Sequence, residues 1–424
     1  MKASQDKIED SGGQKLPIQQ DVEQCAFDGA MTALVPIADA AHLIHGPIGC
    51  VGNFFGGSNN IRFTTDMEES DIIFGGVKKL YKAILEVHRR YNPSAIFVYS
   101  TCVSAMIGDD ISGATRDATE ELKIPVISVD SPGFIGSKKS GTRLVGDVLL
   151  ESVIGTAEPE LTTQYDINLI GDNSDSGAIE NLQSMLEKVG IRVLAKITGN
   201  IRYQEICYAH RAKLNVVVSS KPLLKMAKQM EKRFAIPYIE GSLQTLEDTN
   251  NCLRNIAAKL ENSQLQERTE QLIAEENTNL NCQLDLYRSK FQNQRIILEV
   301  GNSKGWMIIS VAKYLSLDVI PISQKVSPDS QNRIQQLIGR DVICLETYNH
   351  HNLFQIIQDF QAHMLVARVN YRNIAIQAQI PFLDVNQEYP AYAGYTGVLQ
   401  AVRELYAAFQ SPIWKQLRKS APWQ

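Results

Sequence analysis

The chain contains no apolar run long enough to cross a bilayer, which argues against a membrane role. It has no basic block, and its net charge is −5 over 424 residues. A reader of nucleic acid would carry a basic footprint, so nucleic acid is not the expected partner. The opening stretch, MKASQDKIEDSGGQKLP, lacks the apolar segment of a secretory signal and reads as a mobile arm over residues 1–20. No CxxC pair is present, and the seven cysteines are odd in number and widely spaced. A disulfide framework is therefore not expected, and the cysteines read as thiols or metal ligands in a reducing cytoplasm. The glycines of INLIGDN and LEVGNSKGW match neither a dinucleotide fingerprint nor a P-loop and read as ordinary strand-to-helix turns. There is no Ser–His–Asp pattern, no tight zinc-ligand set and no fixed-period repeat.

What is present is α/β alternation, three times over. Hydrophobic residues make up 44% of the chain, enough for well-buried interiors. The first unit, 21–160, runs from a helix in DGAMTALV through GGVKKLYKAILEVHRRYN, where Leu80, Ile84 and Val87 share one helical face. Buried strands follow in PSAIFVYS and IPVISV, and SPGFIGSKKSGTR is a Gly/Ser loop leading into a helix. The second unit, 161–290, alternates INLIG, IRVLAKI, LNVVV and IPYIEG with helices, including one over NIRYQEICYAHRAK. It ends in one or two charged surface helices. The third, 291–385, opens on RIILEVGNSKGW and continues through DVIPIS, VICLE, MLVARV and IPFLDV. Residues 386–424 form a loop and a closing helix. Strand–helix–strand spacing of this kind implies parallel sheets, with ligands beyond the carboxyl ends of the strands.

Three cysteines draw attention: Cys25 in EQCAFDGAM, Cys50 in HGPIGCVGN and Cys102 in VYSTCVSAMIGDD. Each is flanked by small residues, as thiolate ligands need when separate loops converge on one iron–sulfur cluster. Three is one short of the usual four, so a fourth ligand would come from elsewhere in the chain, from a partner, or not at all. Buried structural thiols explain the same pattern equally well. His42 and His45 suggest helix packing, His350 and His351 a surface loop, and Lys304 an exposed turn that could meet an anion.

Several stretches together resemble the nitrogenase component 1 family: CAFDGAMTALVPIADAAHLIHGPIGC, FTTDMEESDIIFGGVKKLYKAI, VYSTCVSAMIGDD, SPGFIGSKKSGTRL, VIGTAEP, IPFLDVNQEYPAYAGYTG and SPIWKQLRKSAPW. Within that family they are most similar to the cofactor-assembly scaffold branch. The resemblance implies three Rossmann-like parallel-sheet domains around a central cleft. It implies that Cys25, Cys50 and Cys102 hold an interface 4Fe-4S cluster, with the fourth ligand from a homologous partner similar to NifN in an α2β2 heterotetramer. The nitrogenase iron protein and a cluster donor would be further partners. A transient precursor of the iron–molybdenum or iron–vanadium cofactor would sit near Ser219, Lys304 and the loop from Asn386 to Tyr395. Where catalytic relatives place a cofactor cysteine and histidine, this chain has Ser219 and Ala393. A hydroxyl is a poorer iron ligand than a thiolate, and Cys207, one helix upstream, is a candidate substitute or a core thiol. The alternatives are a subunit of a nitrogenase-like reductase, or a paralogue that keeps the interface cluster and holds no precursor.

Overall fold

The computed structural model of the chain describes residues 25–51, 61–171, 176–345, 350–386 and 392–417. The N-terminal arm and most of the loop between Asn386 and Tyr395 lie outside the described residues.

Thirteen strands form three sheets among the described residues. The first holds β1 (Ala40–His45), β2 (Ile61–Thr64), β3 (Ala95–Ser100) and β4 (Val126–Val129), in the order β2-β1-β3-β4. The second holds β5 (Asp166–Gly171), β6 (Arg192–Ile197), β7 (Leu214–Val218) and β8 (Tyr238–Gly241), in the order β6-β5-β7-β8. The third holds β9 (Arg295–Glu299), β10 (Asp318–Ser323), β11 (Ile343–Cys344), β12 (Met364–Ala367) and β13 (Phe382–Asp384), in the order β11-β10-β9-β12-β13. Every strand pair is parallel. Their central strands are apolar on both faces because helices cover both sides. In each sheet the first strand is flanked by strands that leave it in opposite directions. The switch points therefore fall between β1 and β3, β5 and β7, and β9 and β12, where α/β sheets place their ligands.

The cores are shared between units. On the second sheet, side chains alternate between two interiors. Ile170, Ala195, Ile197 and Val217 join a core with Phe27, Leu34, Phe97 and Leu149 of the first unit. Ile167, Leu169, Leu214, Val216 and Val218 join another with Ile296, Leu298 and Trp306 of the third.

Several elements differ from the sequence reading. The NIRYQEICYAHRAK segment is a short helix, Tyr203–Cys207, followed by one 3-10 turn, Tyr208–Arg211. The charged stretch after β8 is two helices, Leu246–Lys259 and Ser263–Phe291, within the one or two expected, but the second is more than a surface helix: it buries Leu272, Leu280, Leu284 and Phe291 along one face. VICLE supplies only the two-residue β11. His350 and His351 open the helix His350–Phe360 instead of lying in a loop. His42 and His45 sit on β1, and both are fully buried.

Candidate functional site

The three cysteines lie just past the carboxyl ends of strands or at the start of a helix, and the fold brings them to one place. Cys25 caps the helix Ala26–Leu34, Cys50 sits in the 3-10 turn Ile48–Val51 after β1, and Cys102 opens the helix Cys102–Ile107 after β3. All three are half-buried and unpaired by disulfide.

Small residues make the convergence possible. The helix Ala26–Leu34 crosses the helix Lys138–Ser152 with backbones in contact. A Cβ on Gly29 would stand 1.9 Å from the Lys138 carbonyl oxygen, and one on Gly141 would stand 1.8 Å from that of Ala26. Only glycine allows that approach. It carries Cys25 against Ser137, with which it forms an isolated β-bridge. The next loop along, at Gly133, then reaches between two of the thiols. A Cβ there would be 3.1 Å from Cys102 Sγ and 3.2 Å from Cys25 Sγ. The Gly133 N–H donates to Cys102 Sγ at 3.2 Å.

Hydrogen bonds fix the other two loops. Thr101 Oγ1 donates to the His45 carbonyl at 3.0 Å, and the Thr101 N–H donates to Ser104 Oγ at 2.9 Å, so the ends of β1 and β3 are tied together. His45 bridges Thr65 Oγ1 at 3.0 Å and Asp109 Oδ2 at 2.8 Å. Asp109 also accepts the Gly76 N–H. His42 stacks on Phe97 and bonds Tyr99 Oη at 2.8 Å. Burial, helped by the Arg62 charge, lowers the His42 pKa to about 3, so the ring is neutral.

Electrostatically, burial pushes the Cys50 thiol up, and the negative charges available at Cys102, Cys25 and Asp28 push it further. Burial also raises Cys25. The mutual influence of these groups follows from their proximity. Among the described residues, no three His, Cys, Asp or Glu side chains form a single-ion site. Three thiols spread around a space suit a polynuclear group, whose ligands attach to different irons. The donor set and the side-chain-free cradle at Gly133 fit such a cluster.

The rim is apolar. Ile48, Phe134 and Ile135, on the turns beside the cysteines, and Met106, on the helix that Cys102 opens, are exposed, Met106 at 78%. The adjoining helix Glu69–Phe74 exposes Ile72, Ile73 and Phe74, the last at 87%. Exposed apolar side chains grouped on neighbouring segments are a feature of protein–protein contact surfaces.

The second group of expected residues is arranged differently. Ser219 lies just past β7, exposed, with a left-handed backbone (φ 52°) and its N–H on the Gly241 carbonyl. Lys304 is not in an exposed turn. It is 1% exposed on the helix Ser303–Ala312, and its Nζ reaches the Asp384 carbonyl at 2.7 Å and Glu404 Oε2 at 3.0 Å, 4.7 Å from the centre of the Tyr392 ring. Its charge is answered from within the chain. Asn386, exposed, donates its N–H to Asp384 Oδ1 at 2.9 Å, so it shares an anchor with Lys304. Cys207 is buried in the first core, its Sγ on the Tyr203 carbonyl at 3.5 Å, which is the packing of a core thiol. Gly133 and Asp28 were not singled out by the sequence pattern. The Cys25–Asp28 spacing carried a capping signal, whereas Gly133 resembled any loop glycine.

The family described as "Nitrogenase component 1 type Oxidoreductase" matches residues 25–410. The chain is 54% identical to "Nitrogenase iron-molybdenum cofactor biosynthesis protein NifE" of Nostoc sp., over 94% of this chain and 85% of that protein. It is 48% identical to the protein of the same name from Rippkaea orientalis, over 94% and 87%. Against that of Klebsiella pneumoniae the figures are 38%, 94% and 92%. Among solved structures, "Nitrogenase Cp1 at pH 5" superposes with a TM-score of 0.79 at 27% identity, covering 97% of this chain and 92% of that one.

Proposed function

The chain belongs to the nitrogenase component 1 type oxidoreductase family, and from that premise we propose that it is a scaffold subunit for maturation of the iron–molybdenum cofactor. The names carried by its relatives support this reading. The observation that carries it is the approach of Cys25 and Cys102 to the Gly133 cradle, with Cys50 close enough to feel the charges of both. These thiols would hold a 4Fe-4S cluster, which supplies one-electron transfer when bound. The chain's own part is to present three deprotonated sulfurs, to donate the Gly133 N–H to Cys102, and to offer an apolar rim that a covering subunit would close against water. Metal displaces thiol protons, so loading releases protons.

A homologous, NifN-like partner in an α2β2 heterotetramer would supply the fourth ligand. The exposed ring of Ile48, Met106, Phe134 and Ile135 supports a covering subunit. The neighbouring Ile72–Phe74 ridge would receive the nitrogenase iron protein, and a cluster-donor protein would act earlier. The three sheets support domains at 21–160, 161–290 and 291–385. A precursor of the iron–molybdenum cofactor, or of its vanadium counterpart, would lie past β7 near Ser219, with Asn386 beside it. Lys304 would act there only after release from Glu404.

A second reading is favoured by Ser219: a paralogue that keeps the cluster and holds no precursor, because serine replaces the thiolate its catalytic relatives use. Metal analysis of the purified two-subunit complex tests both. Iron beyond one 4Fe-4S cluster per heterodimer supports the precursor scaffold, and iron for one cluster only supports the paralogue. Cys50→Ala or Cys102→Ala abolishes the brown chromophore. Its survival with full iron content would overturn the assignment of the trio.

A further inference from the structure

Asp28 stands three residues after Cys25, on the first turn of the helix that Cys25 caps. Its Oδ2 accepts the Cys25 N–H at 2.9 Å. The carboxylate is thus held on the backbone of one thiol-bearing residue, and its position cannot drift without unmaking that cap. That places its charge beside the Cys25 thiol and within electrostatic reach of Cys50. It is half-buried. Among the described residues no salt bridge engages it. Backbone amides act on the sulfurs in the opposite sense: the Gly133 N–H donates to Cys102 Sγ, and the N–H groups of Asp28 and Phe27 face the Cys25 sulfur.

We infer that Asp28 is a fixed negative charge that lowers the reduction potential of the cluster held by Cys25, Cys50 and Cys102. This inference rests on the assignment of the trio as cluster ligands. Net charge and hydrogen bonds to sulfur are the two levers by which a protein sets the potential of such a cluster. An anion beside the ligands opposes the arrival of an electron, and an N–H on a thiolate favours it. Here the carboxylate acts beside Cys25 and Cys50, while backbone amides act in the opposite sense on Cys102 and on Cys25. Asp28 does not touch the reacting irons in this account. It acts through the ligands as a tuning residue.

The test uses the full-length chain purified with its natural partner subunit. Asp28→Asn keeps an oxygen that accepts the Cys25 N–H and removes the charge, while Asp28→Glu keeps the charge. The iron content of each complex is measured, and the cluster is then titrated with EPR detection of the reduced form. Expected are unchanged iron in Asp28→Asn and a reduced-to-oxidised ratio about tenfold higher at the wild-type midpoint, a shift of about 59 mV for one electron. Asp28→Glu should stay near the wild-type midpoint. A loaded Asp28→Asn complex with an unmoved midpoint would overturn the inference and leave the trio assignment standing. Loss of iron in Asp28→Asn would overturn it too, by making Asp28 a ligand or an indispensable holder. A wild-type complex without iron at the trio would sink the underlying assignment, a result distinct from both.

Discussion

Glu404→Gln is expected to loosen the C-terminal helix more than Lys304→Met does. Lys304 has a fully buried side chain, while Glu404 is 19% exposed. In Lys304→Met, Glu404 keeps the Tyr392 hydroxyl and the Gln400 amide and faces water in part. The cost is about 1–2 kcal/mol, that of lost hydrogen bonds. In Glu404→Gln a buried ammonium is left with a carbonyl and an aromatic face. Stranding one partner of a buried pair costs about 3–5 kcal/mol. The helix Gly394–Gln410 carries Glu404, so hydrogen exchange of its interior amides reads the effect locally. Protection should fall roughly 100- to 5,000-fold in Glu404→Gln. The double variant should resemble Lys304→Met alone, because no charge is stranded. Burial lowers the Lys304 pKa, although Glu404 opposes this. Without Glu404 the native state binds the proton still less well than the unfolded chain. The Glu404→Gln deficit should therefore shrink as the pH rises toward 10.5, the ordinary lysine value. Losses that simply add in the double variant, within about 0.5 kcal/mol, would refute the reasoning.

Two further outcomes follow from the site. Gly133→Val should fold, with an unchanged far-UV circular dichroism spectrum, yet lose most of its iron, because its side chain would occupy the space between Cys25 and Cys102 Sγ. Full iron content in that variant would contradict the cradle. His42 is held neutral, with its pKa lowered from 6.5 to about 3, so the unfolded chain binds more protons across that window. Its stabilising contribution is complete above pH 6.5 and is lost as pH falls toward 3, about 5 kcal/mol in all. Urea midpoints of wild type and His42→Phe between pH 7 and 4 should converge on acidification. Parallel curves would refute the assignment.

Much of the fold was legible because its signals are local. The face Leu80–Ile84–Val87 is periodic and is buried on the helix Val77–Tyr91. The apolar runs PSAIFVYS and LNVVV are strands buried on both faces. What was not legible depends on distant partners. Lys304 reads as a turn lysine until Glu404, a hundred residues later, folds over it. The roles of His42 and His45 were not legible either, because they depend on partners from other segments: Tyr99 across the sheet for His42, and Thr65 and Asp109 for His45. The cysteines could be named from sequence but not brought together, because Gly29 and Gly141 set their separation through a contact between two helices far apart in the chain.

The second sheet, with one face in each of two interiors, also sets a timetable for biosynthesis. The first interior needs Val217, Met226 and Ile236 before it is complete. A ribosome adding about 5–20 residues per second delivers Ile236 roughly 10–40 s after Cys25. Through that interval the nascent thiols stand beside an unfinished wall, open to oxidants and stray metal. A cluster held by the trio would have to be delivered after translation has passed the second sheet, so the timing of iron supply would follow the order in which the strands leave the ribosome.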